Sequence, residues 1–248
     1  MSIIDGKMTS QQEESESDFI NGTVEKKGYR KRWVSKVKKI SNHPFNHGIH
    51  MDTHHLISAE AVKISALGPL LEKKGYDINA LNNLVGFPAT LPGACQLHCQ
   101  LHRGDHIFSQ AGEEPYHKYV STRISKLKKN INSCYGKTNK RETNHEIHSS
   151  IMDPIGNKIL KKINKFKLPL TEIYKNFQNG GPGCAMCGSI ISVRTSEKSC
   201  DQRKHYKSLS EDRSGLDYRY PEKKNSFIRG NKKDITFTQQ HWEPTVGQ

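Results

Sequence analysis

Apolar positions recur at helical spacing in four stretches of the chain and are sparse elsewhere. From Ala59 to Lys74, the residues Ala61-Val62, Ile64, Leu67 and Leu70-Leu71 predict helix, interrupted at Gly68-Pro69 and stopped at Gly75. Proline removes a ladder hydrogen bond and glycine accepts the backbone of a helix end. Tyr116, Val120, Ile124, Leu127 and Ile131 predict an amphipathic helix with Lys and Arg on its other face. Ile155, Ile159, Ile163 and Phe166 form a third stripe; Leu170, Ile173, Tyr174 and Phe177 form a fourth, with Pro169 between them. Leu84-Val85 and Phe87, set among turn residues from Asn79 to Pro92, predict a strand pair or a strand and turn. His98 to His106 is expected to lead into a further helix.

The polar stretches divide the chain. Met1 to Val24 carries Asp5, Glu13, Glu14, Glu16 and Asp18 against one lysine, and residues 1–24 read as a mobile acidic leader. Lys26 to Lys39 is basic around Trp33, Val34 and Val37, a short strand or helix. Ser41 to Asp52 is a loop holding His43, His47 and His50, either solvated or weakly metal-binding. Gly136 to Ser150 shows no periodicity and reads as a linker. The expected organisation is therefore a folded domain over 25–135, a linker over 136–150, a small helical unit over 151–205, and a polar tail over 206–248, mostly disordered or draped on the surface.

Composition sharpens this. An apolar fraction of 33% over 248 residues, with mean hydropathy −0.79, fits a compact centre with polar appendages. No run is long enough to span a membrane, and Met1 to Ile20 lacks the pattern of a signal peptide. Export would need a dedicated secretion system or a carrier. The net charge of +14 points to a polyanionic partner. From Lys118 to Arg141 there are eight Lys or Arg and no acid, which favours phosphate binding over an ordinary solvated face. The six cysteines, without a secretion signal, read as thiols or metal ligands.

Two histidine clusters carry the candidate chemistry. His54 and His55 are adjacent, so on a strand they face opposite sides and can do different work. His102 and His106 are spaced i, i+4, which on a helix stacks two imidazoles as a metal requires. His98 lies four residues before His102 and could replace either ligand. Asp52 and Asp105 flank the clusters and could add oxygen donors. A second signal is Cys184-x2-Cys187-x12-Cys200-x4-His205, close to structural zinc spacing, with glycines before Cys184. Cys95 and Cys99 could instead join Cys184 and Cys187 in an all-cysteine site.

The order His54-His55, then Asn83-x4-Pro88, then His102-x3-His106 resembles a ββα-metal (HNH-type) nuclease, and most closely the AHH nuclease family of bacterial polymorphic toxins. The resemblance runs from about Asp52 to Leu127; Thr53, Ser58, Leu84 and the long step from His106 to Tyr116 depart from the usual pattern. It implies an α+β fold with a ββα-metal core, additional helices and a small C-terminal zinc-knuckle-like unit. His54, His102 and His106 would hold a divalent metal (Mg, Zn or Ni), His55 would be the general base, and Asn83 would orient the loop that fixes His55. Arg103, Lys118, Arg123, Lys126, Lys128 and Lys129 would contact nucleic acid. The function implied is DNA cleavage, with RNA not separated, by an antibacterial toxin or effector. Such a toxin is made in the cytoplasm, is exported into a target cell, and has an acidic immunity protein as cognate partner. The rival is a non-catalytic zinc-bearing nucleic-acid-binding protein.

Overall fold

The computed structural model describes residues 28–102, 106, 114–134, 146–181, 235–238 and 242–248. Two short strands, β1 (Met51–His55) and β2 (Leu84–Pro88), pair antiparallel, with Met51 opposite Pro88 and His55 opposite Leu84. Every residue of β2 is buried, because both faces of the pair are covered. Strand alternation sends Leu84 and Gly86 to one face and Val85 and Phe87 to the other.

Helix α1 (Tyr29–Val37) covers the first face with Trp33 and Val37, beside Met51 and Leu84. A side chain at Gly86 would overlap Trp33 Cζ2, so this strand position must be glycine for the indole to lie flat on the backbone. The second face meets α2 (Ala59–Ile64), α3 (Gly68–Lys73), α5 (Tyr116–Ser125), α6 (Lys128–Ser133) and α7 (Asp153–Asn164), which follows a π-helical turn, Glu146–Met152. Ser58 caps α2 by accepting from Ala61 N, and Thr90 caps α4 (Leu91–Leu97) by accepting from Gly93 N. The fold class is α+β.

Three expectations need correction. The helical stripe from residue 151 does not form a separate unit: Ile159, Leu160, Ile163, Leu168 and Leu170 share one core with Leu56, Val85 and Tyr116. An isolated amphipathic helix cannot bury its apolar stripe alone, and the strand pair offers the nearest apolar face. The tail, expected to be mostly disordered or draped on the surface, enters the core instead at its described residues, since Ile235 and Phe237 are buried and Trp242 packs on the first-face core. Its last residues run along the open edge of β2, where Gly86 N donates to Gln248 O and Gly247 N donates to Leu84 O. The edge strand's orphan backbone groups explain that placement. Third, His102 and His106 do not lie on a helix. Helix α4 ends at Leu97, His98 is left-handed with φ 51°, and His106 is left-handed with φ 59°. Among the described residues, no helix is long and apolar enough to cross a membrane.

Candidate metal centre

His54 projects from β1 toward α5, on the face shared with Val85 and Phe87. His102 is brought alongside by its backbone N–H, which donates to Pro88 O at 2.9 Å. His106, also outside any helix, completes the group. The ligand atoms of His54, His102 and His106 all lie within 4.8 Å of one another, and His54 Nδ1 is 3.1 Å from His102 Nε2. His102 and His106 thus converge on His54 although neither lies on a helix, the geometry that the i, i+4 spacing suggested.

Hydrogen bonds fix which nitrogen of each ring faces inward. The Tyr116 hydroxyl donates to Leu56 O at 2.7 Å, so its oxygen accepts from His54 Nε2–H at 2.8 Å. That leaves the Nδ1 lone pair of His54 pointing at the cluster. His106 Nδ1–H donates to Leu170 O at 3.3 Å, leaving Nε2 as its ligating atom. Carbonyl and hydroxyl partners behind the rings are how proteins set the tautomer of a metal-binding histidine. Behind Leu170 stands the buried Gln100. Its amide nitrogen donates to Ile163 O and Leu168 O, and its oxygen accepts from Leu170 N at 2.8 Å.

Electrostatics keep His54 neutral. Burial, then the neighbouring His106, His102, His55 and His117, hold His54 well below the usual histidine range. Burial pushes the Tyr116 phenol far up, so it stays a protonated donor. Neutral imidazole is the form that binds metal. Two nitrogens on a tetrahedral metal with bonds of about 2.0–2.1 Å lie about 3.3 Å apart, close to the 3.1 Å seen here. The three histidines thus fit a divalent ion, and an all-imidazole set suits Zn²⁺ or Ni²⁺ better than Mg²⁺.

His55 turns to the other face of β1, half-buried against Tyr29, with ring centroids 4.6 Å apart. Its Nε2 meets Asn79 Oδ1 at 3.0 Å, so Nε2 carries the proton and Nδ1 the lone pair. Burial lowers its pKa, opposed by the Asn79 hydrogen bond and the Asp77 carboxylate. The amide that touches His55 is thus that of Asn79, while Asn83 ties the turn beyond it, as expected. Asn83 accepts from Ile57 N at 2.7 Å and donates to Ile57 O and Ile78 O, locking the turn that leaves β1.

The remaining candidates divide. Asp52 pairs with Arg30 at 3.2 Å rather than with the cluster, and His98 is not one of the converging three. Cys95 and Cys99 are buried in the described core. Arg103, Asp105, Cys184, Cys187, Cys200 and His205 lie outside the described residues. Lys118, Lys126, Lys128 and Lys129 are exposed on α5, α6 and the turn between them, and Arg123 lies over the Tyr119 ring at 3.2 Å. Sequence reasoning missed Asn79 and Gln100, which look like any polar loop residue. It used Tyr116 as part of an apolar stripe and as a landmark of the family pattern, but gave it no polar partner, although a buried phenol must find one. His117, held by Ser58 at 2.8 Å beside His106, was also passed over.

Neither the curated proteins nor the solved structures contain a match to this chain. A family model does match, and its span takes in just over half of the 248 residues, including His54, His55, Asn83, His102, His106 and Tyr116. The motif that gives the family its name is Ala-His-His, where this chain has Thr53-His54-His55. With its histidines already gathered as a metal site requires, the chain belongs to the AHH family, a nuclease family of the HNH/ENDO VII superfamily, whose model matches residues 35–163.

Proposed function

We propose that the protein is a metal-dependent endonuclease that hydrolyses DNA phosphodiester bonds through a ββα-metal centre. The observation that carries this reading is the convergence of His54, His102 and His106, with the inward nitrogens set by Tyr116 and Leu170. His54, His102 and His106 would hold a divalent metal, which would supply Lewis acidity to a bound phosphodiester. His55, kept as the Nδ1 base by Asn79, takes a proton from the attacking water. The water oxygen bonds to phosphorus, the bond to the 3′-oxygen breaks, and the leaving oxygen gains a proton from solvent. Asn83 holds the turn after His55 and so keeps the base in register with the cluster.

The biological role we propose is that of an antibacterial toxin or effector, exported by a dedicated system and neutralised in its producer by an acidic immunity protein. The net charge of +14 supports both a nucleic-acid substrate and an acidic inhibitor. The test is cleavage of supercoiled plasmid with Mg²⁺, Zn²⁺ or Ni²⁺ added. The parent chain cuts, and His55→Ala binds DNA but cuts roughly 100-fold more slowly or worse. Near-parental cutting by His55→Ala contradicts the assignment. Plasmid that is bound and left intact under every metal points to the non-catalytic zinc-bearing protein instead.

A further inference from the structure

Helices α5 and α7 touch one another, and between them runs a groove of about 600 Å³. Its lining holds one arginine and six lysines and no acidic residue. Arg123 and Lys126 come from the α5 side; Lys158, Lys162, Lys165 and Lys167 come from α7 and the turn after it. The floor is apolar, built from Tyr119, Leu127 and Ile155. Two of the cations stack on the tyrosine: Arg123 lies 3.2 Å and Lys162 5.2 Å from the Tyr119 ring centroid. Cations held on an aromatic face are positioned rather than freely swinging. Gathering seven like charges along one groove raises the local positive potential and calls for an anion of matching length.

The groove is also tied to the histidine cluster. Tyr116, which holds His54, opens the same helix; Tyr119, Arg123 and Lys126 follow within about 80° of it on one stripe. At 1.5 Å per residue, Lys126 lies about 15 Å along the axis from Tyr116. A nucleic-acid strand advances about 3.4 Å per nucleotide in a duplex, so this is the reach of about four phosphates. On α7, Ile155, Lys158, Lys162 and Lys165 form the facing stripe.

We infer that the α5–α7 groove is a binding track for the phosphodiester backbone of the nucleic acid, several nucleotides from the bond that is cut. The identity of the anion rests on the nuclease reading above. The track draws on α7, which the sequence assigned to a separate unit, and it leaves Lys118, Lys128 and Lys129 outside its lining. Binding through phosphates predicts little sequence preference and a steep dependence on salt.

The test is fluorescence anisotropy of the full chain with a labelled 20-base-pair DNA duplex and a single-stranded RNA of the same length, in EDTA. The groove variant is Lys158→Gln/Lys162→Gln/Lys165→Gln. The control is Lys31→Gln/Lys38→Gln/Lys39→Gln on exposed residues of α1 and the turn after it, which removes the same charge. Near 0.1 M salt the groove variant should bind duplex about tenfold more weakly or worse. Its slope of log K against log salt should fall by about 0.9 for each phosphate that is no longer neutralised. The control should stay close to the parent. A groove variant with parental affinity and slope for both nucleic acids overturns the proposal, even if it loses affinity for poly-glutamate, which would mark an acidic protein's docking site. Equal losses in groove variant and control also overturn it, because bulk charge would then account for the binding. Since no metal is present, a chain that binds through the groove yet never cuts keeps this proposal and loses the nuclease reading.

Discussion

His54 and Tyr116 are joined by a 2.8 Å hydrogen bond whose direction is set one step further on, where the tyrosine hydroxyl donates to Leu56 O. The phenol can therefore only accept from His54, and the histidine can only offer Nδ1 to the cluster. Tyr116→Phe removes the acceptor but keeps the ring in the core. We expect metal affinity to fall about 10–100-fold, the usual cost of losing a partner behind a ligand. Calorimetric titration with Zn²⁺ checks this, and circular dichroism should show the fold retained. Unchanged affinity would mean that Tyr116 only packs.

Gln100 predicts a loss of stability. Its buried amide satisfies Leu168 O and Leu170 N and adds a bond to Ile163 O, which also accepts from Phe166 N. Gln100→Leu removes the polar partner of Leu168 O and Leu170 N, at about 1–3 kcal/mol each, while Ile163 O still accepts from Phe166 N. The urea midpoint should drop accordingly. Because Leu170 O also receives His106 Nδ1–H, metal affinity should fall as well. Parental stability would show that water replaces the amide.

A pH effect on stability is expected from His43. It is buried between Trp33 and Trp242, accepts from Phe45 N through Nδ1, and burial lowers its pKa from 6.5 to about 4. Between those values the unfolded chain takes up a proton that the folded chain refuses. Its contribution to stability is therefore full above about pH 6.5 and declines as pH falls toward 4. Urea unfolding across that range should show the decline. His43→Asn, which keeps an acceptor near Nδ1, should flatten it. An equal slope in the variant would assign the effect to other groups.

The sequence made the chemistry more legible than the architecture. Among 13 histidines, the ordered combination of His54-His55, Asn83-x4-Pro88 and His102-x3-His106 stood out, and period-2 alternation correctly separated the faces of His54 and His55. The same i, i+4 spacing misled about backbone, because a left-handed His106 on a loop brings its ring to His54 as effectively as a helix would. The Ile155–Phe166 stripe was visible, but its partner was not, since periodicity shows which face is buried and never against what. The docking of Gly247 and Gln248 on β2 left no pattern at all: it depends on backbone groups, which every residue carries.

The central claim is that His54, His102 and His106 hold the metal on which phosphodiester cleavage depends. The most direct measurement is paired: calorimetric titration of Ni²⁺ or Zn²⁺ into the parent, His102→Ala and His106→Ala, with plasmid cleavage by the same preparations. We predict one high-affinity site in the parent, its loss in each variant, and loss of cutting in step with loss of metal. Metal binding and cleavage undiminished in both variants would contradict the account and place the centre elsewhere in the chain.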